Sequence, residues 1–144
     1  MTLHRVLGGS LLLIFGCLCI AQQVEIKTAP IKYVDPSSGE KMYVAYCAAC
    51  HGTDGKGHGA AARATKTPPT DLTTLAKHNG GQFPTREVNL AIRGDSAMPK
   101  AHGNKDMPVW GNTFLLSGRA ASSEAEVMLR VNNLTTYVES LQQR

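Results

Sequence analysis

The sequence predicts an all-α domain, and three observations lead there. Capping boxes stand near both ends, Ser37-x-x-Glu40 and Ser123-x-x-Glu126, each followed by apolar residues at helical spacing. After the second, Val127, Val131, Leu134, Val138 and Leu141 recur every three or four residues, the stripe of a long core-facing helix. Between the two, short apolar segments are set apart by Pro68-Pro69, Gly80-Gly81, Pro84 and Gly94, and no βαβ pattern is visible.

Taken in order, Met1 to Arg5 is a short basic start and Val6 to Ala21 an uncharged, largely apolar run. That run is short for a spanning helix and reads as a signal peptide, residues 1–21, cut before Gln22. The rival readings are a lipid anchor on Cys17, disfavoured by bulky Phe15 nearby, and an uncleaved anchor. Residues 22–36, with Pro30 and Pro36, form an extended, partly mobile lead-in. A single domain follows over 37–144. Its first helix spans about Ser38 to Cys50, carrying Met42, Tyr43 and Tyr46 on one face. Ala60 to Ala64 makes a helical turn. Thr70 caps a short helix through Leu72, Leu75 and Ala76, which Asn79-Gly80-Gly81 stops. Another helix follows Pro84, with Val88, Ala91 and Ile92 on one face and Gly94 as terminator. A longer loop from Asn112 to Ser122 precedes the last helix.

The formal charge of +4 loses only Arg5 with the signal peptide, leaving 14 basic against 11 acidic residues. No basic run is interleaved with aromatics, so nothing argues for nucleic acid. Aromatic residues make up only 6% of the chain. A bound planar group would supply core that these side chains do not.

Such a group is what Cys47-Ala48-Ala49-Cys50-His51 calls for. Two thiols three residues apart each form a thioether with a haem vinyl, and the adjoining histidine meets the iron. A thioredoxin-like dithiol needs a βαβ setting, and a structural zinc site needs two more ligands at zinc spacing; neither is present. A Cys47–Cys50 disulfide remains for a chain that never receives haem. The glycine-dense stretch from Gly52 to Gly59 lacks the Gly-Lys-Ser/Thr ending of a phosphate loop and reads instead as a tight loop at one haem edge.

With Gly39 and Tyr43 eight and four positions before Cys47, the chain resembles the class I cytochromes c, over about Ser37 to Gln142. The resemblance implies three to five helices wrapped around one covalent haem c, with the N- and C-terminal helices crossing at Gly39 and Tyr43. It implies that one proline of Pro68-Pro69, assigned here to Pro69, offers its carbonyl to the free ring nitrogen of His51. Opposite His51 the candidates are Met98, Met107, His58, His78 and His102. A thioether suits iron in both redox states, and both Met98 and Met107 precede a proline that stiffens the loop. Met107-Pro108-Val109-Trp110-Gly111 resembles a bacterial subgroup whose ligand is the methionine beside Pro-Val-Trp-Gly, so Met107 is preferred and Met98 is the alternative. Trp110 then packs near the haem or its propionates, or serves as a plain core residue. Arg93 and Lys100 are candidate propionate partners.

The implied function is a monomeric, periplasmic single-electron carrier between redox protein donors and acceptors, some of them membrane-bound, and not an enzyme. The alternatives are a haem c subunit of a membrane-associated multi-component oxidoreductase and a five-coordinate haem enzyme or sensor.

Overall fold

The computed structural model describes residues 33–94, 107–116 and 122–143, and these are helical with no strand. Helix α1 (Gly39–Tyr46) starts where the Ser38 hydroxyl accepts the Lys41 amide at 3.2 Å. The cap is one residue later than the sequence pattern suggested, because Ser37 is engaged elsewhere. Its amide and hydroxyl both donate to the Asp35 carboxylate, at 2.8 and 2.7 Å. Helix α1 ends at Cys47, and the short helix α2 (Ala48–His51) follows at once, so the single helix expected to Cys50 is broken at the first cysteine.

A single 3-10 turn, Ala62–Ala64, interrupts the loop that follows. A second, Leu72–Thr74, leads into α3 (Leu75–His78). The cap here is Asp71 rather than Thr70: its carboxylate accepts the Thr73 amide and hydroxyl at 2.8 and 2.7 Å. Helix α4 (Thr85–Arg93) ends at Gly94 as its sequence requires. Helix α5 (Trp110–Leu116) occupies part of the stretch read as a loop. Its sequence carries no cap signal, and Gly111 and Asn112 are poor helix formers. Burial of Trp110 and Phe114, four residues apart on one face, holds it. Helix α6 (Glu124–Ser140) begins at the expected cap, with the Ser123 hydroxyl accepting the Glu126 amide at 3.2 Å.

Helices α1 and α6 cross as the class I resemblance implies. At the crossing, a β-carbon on Gly39 would collide with the Asn133 carbonyl, so only glycine lets the backbones approach this far. One turn on, the Tyr43 and Tyr137 rings pack at 5.1 Å. Met42, Tyr43, Phe114, Val127, Val131 and Leu134 are fully buried around this contact. Tyr46, Trp110 and Phe114 extend it as an aromatic cluster with centroids 5.4 to 5.6 Å apart.

The described end of the lead-in is tied to α6. Arg130, only 2% exposed, donates to the Val34 carbonyl at 2.8 Å, and Asn133 donates to that of Pro36 at 2.7 Å. The Arg130 charge is met by Glu126 at 2.8 Å and lies over the Tyr33 and Phe114 rings. At the other terminus the Gln142 side chain accepts the Ala76 amide and donates to the Leu72 carbonyl, tying the end of the chain to the segment that walls the site. The signal peptide and residues 22–32 lie outside the described residues.

Candidate functional site: an apolar cleft at the α1–α2 corner

The break at Cys47 turns the chain so that the cysteines and the histidine follow one another around a corner. Loop amides then return onto the carbonyls of that corner: Ala61 to Ala49 at 2.8 Å, Gly59 to Cys50 at 3.0 Å and Gly57 to His51 at 2.8 Å. The dense glycines serve this return. Gly57 has φ +85°, and its α-carbon lies against the Pro69 carbonyl where a side chain would not fit. From the other side, the buried Tyr43 hydroxyl donates to the Gly52 carbonyl at 2.8 Å. The peptide after His51 is thereby held from both flanks.

The His51 imidazole is fixed by one hydrogen bond. Nδ1–H donates to the Thr70 carbonyl at 3.0 Å. The expected partner, Pro69, is displaced by one residue because its own carbonyl is turned toward Gly57. With the proton on Nδ1, Nε2 keeps its lone pair, the form in which imidazole binds a metal. Burial holds His51 below the ordinary histidine range, and the Thr70 bond opposes this only in part, so the neutral ring prevails at pH 7.

A cleft opens beside this corner, enclosing about 780 Å³ of space free of protein atoms, part of it open to solvent. Its walls are aliphatic: Leu72 and Leu75 on one stretch, Val88, Ala91 and Ile92 on α4, Leu134 and Val138 on α6. Cys47, His51 and Met107 line it together, although the methionine lies 56 positions after the histidine in sequence. Cys50 is half-buried on α2. Burial first, and Cys50 second, push the Cys47 thiol up to about 12, so without its ring partner it stays protonated.

Trp110 is not among the cleft residues. It is buried in the cluster with Tyr46 and Phe114, the plain core role that the sequence left open. His58 and His78 are exposed. Arg93 bonds Glu124 at 2.9 Å. Met98, Lys100 and His102 fall outside the described residues. Sequence reasoning missed three members of the site: the Thr70 carbonyl, the Tyr43 hydroxyl and Glu87, which lines the cleft from the first turn of α4. Only Glu87 carried a signal, as the acidic residue immediately before the apolar Val88 position.

These residues fit a haem. The walls are largely apolar, one neutral imidazole has a free nitrogen and a fixed orientation, and one thioether and the Cys47 thiol share the space. Residues 34–121, more than half of the chain, match the family model of cytochrome c oxidase, cbb3-type, subunit III. The chain belongs to this family of c-type cytochromes. Its function is haem-based electron transfer, and the cytochrome is an electron-transfer protein rather than an enzyme in its own right. No curated protein and no solved structure gives a significant match to this cytochrome.

Proposed function

We propose that this cytochrome is an exported carrier of single electrons, with one haem c joined through thioethers to Cys47 and Cys50 and with His51 and Met107 as axial ligands. The observation that carries the reading is the convergence of Cys47, His51 and Met107 on one apolar cleft, with the His51 Nδ1 proton already committed to the Thr70 carbonyl. Bound there, a haem supplies a one-electron ferric/ferrous couple, and His/Met ligation raises its potential and leaves no open site.

The chain's own residues do the rest. Thr70 orients the imidazole and makes it a stronger donor. Tyr43 and Gly57 hold the His51 peptide, so the ligand has little room to move between redox states. The aliphatic side chains of α4 and α6 exclude water. Export rests on residues 1–21, and cleavage before Gln22 is checked by sequencing the mature N-terminus.

The test of the ligand set is an absorption spectrum of the protein expressed with haem-attachment machinery. Sharp low-spin bands with the weak far-red methionine-to-iron band in the oxidised state are expected. Met107→Ala should abolish that band, while Met98→Ala keeps it; the reverse result moves the ligand to Met98. High-spin iron in the unaltered protein would favour a five-coordinate enzyme or sensor. Haem extractable by acid-acetone from the Cys47→Ala, Cys50→Ala double variant supports the thioethers, and retained haem refutes them.

The family's description favours a second reading, a subunit of a membrane oxidase complex. Co-purification with stoichiometric partners would select it. Release into a periplasmic fraction without salt would select the free carrier.

A further inference from the structure

Glu87 is out of place by the chemistry of its neighbours. It lines the cleft beside Val88, Ala91 and Ile92, and among the described residues it is the one carboxylate on a largely apolar lining. Its ion pair is with Arg86 at 3.7 Å, and that arginine side chain is 82% exposed, so the pair is weak and screened by solvent. At the far end of α4, Arg93 bonds Glu124 rather than reaching back to Glu87. The Glu87 side chain is itself 37% exposed, so it stands between the solvent and the cleft it lines.

We propose that Glu87 sets the reduction potential of this cytochrome, its fixed negative charge on the cleft wall favouring the oxidised iron. The argument rests on the haem reading of the cleft given above. Oxidation adds one positive charge to whatever iron centre the cleft holds. A carboxylate on the wall attracts that charge and lowers the midpoint potential, and the low polarity of the neighbouring side chains leaves the attraction less screened than at the surface. Glu87 acts here through its field and by no contact with the iron.

The test is a potentiometric titration of the full haem-loaded protein at neutral pH, followed by its absorption bands. Glu87→Gln keeps shape and removes charge. It should raise the midpoint, so that the protein's equilibrium with a fixed redox dye moves severalfold toward the reduced form, while the low-spin and methionine bands stay unchanged. Glu87→Asp should remain nearer the unaltered protein. Glu139→Gln, on the exposed face of α6, should not shift. A Glu87→Gln midpoint at or below that of the unaltered protein, or equal movement in both glutamine variants, overturns the proposal. A loss of the methionine band in Glu87→Gln would also overturn it, because the residue would then be holding ligation rather than tuning charge. Failure of the haem reading is seen separately, as unaltered protein that takes up no low-spin haem, and it removes this proposal as well.

Discussion

At the residue scale the site is held by main-chain carbonyls. The Tyr43 hydroxyl is the clearest case, since phenylalanine would fill the crossing of α1 and α6 as well and only the bond to the Gly52 carbonyl would be lost. Burial pushes the Tyr43 phenol well above its ordinary pKa, so it donates throughout the working pH range. Tyr43→Phe should lower stability by about 1 kcal/mol and loosen the peptide after His51. Chemical denaturation reads the first, and faster amide exchange at Gly52 to Gly57 reads the second; unchanged exchange would show that the returning loop amides hold the corner without Tyr43. Asp71 gives the pH dependence. Its hydrogen bonds from Thr73, the hydroxyl first, hold its carboxyl below the usual aspartate range. A depressed folded-state value means stability that is present above the unfolded pKa of about 4 and lost as pH falls through the folded one. Asp71→Asn should therefore be less stable than the parent at neutral pH, with the difference closing in acid, as thermal melts across that range will show. Which carbonyl meets His51 was not legible in the sequence. After Pro68-Pro69 the choice between Pro69 and Thr70 depends on where Gly57 needs room, a contact made twelve residues away.

At the element scale, what could be read was what has a period or a local cap. The α6 stripe and Ser123 were legible because an amphipathic helix states its buried face in its spacing. Gly39 and Tyr43 were legible only through the resemblance. Helix α5 was not, since its stability comes from two aromatic side chains packing on Tyr46 and on each other rather than from its own residues' preferences. Arg130 was also hidden. In sequence it is a charged residue among helix formers, and in the fold it is a buried cation that pairs with Glu126 one turn earlier on α6 and joins the helix to Val34 and two rings. Its two functions separate by mutation. Glu126→Gln weakens the counter-charge and leaves the Val34 bond, so it should cost about 2 kcal/mol, less than a fully buried pair because Glu126 is 31% exposed. Arg130→Met removes the donor to Val34 and should speed amide exchange at residues 33–35, which Glu126→Gln leaves near the parental rate. Equal exchange in both variants would assign the pinning to ties other than Arg130, such as Asn133 on the Pro36 carbonyl.

At the scale of the whole molecule the described residues fall into two parts with different sources of cohesion. Helices α1, α5 and α6 close a core of their own, in which Met42, Tyr43, Phe114, Val127 and Val131 are buried by other side chains. The corner at His51, the Leu72–His78 stretch, α4 and Met107 instead face one another across the cleft, and Leu72, Leu75, Val88 and Ala91 are only half-buried there. At about 25 cal/mol per Å² of apolar surface, leaving those walls to water forgoes several kcal/mol, comparable with the whole stability of a small domain. A group that fills the cleft binds the folded state and not the unfolded one, so it stabilises by linkage in addition to supplying the missing contacts. Chain expressed without haem-attachment machinery should accordingly show lower helix content and a broad, weakly cooperative melt, whereas the haem-loaded protein melts sharply and at higher temperature. Amide exchange locates the difference. Protection in the haem-free chain should survive longest where α1 crosses α6, around Tyr43 and Val131, and be lost first in α4. If α4 stayed as protected as α6 without haem, the cleft walls would be self-supporting and the group would be a passenger in a fold already complete.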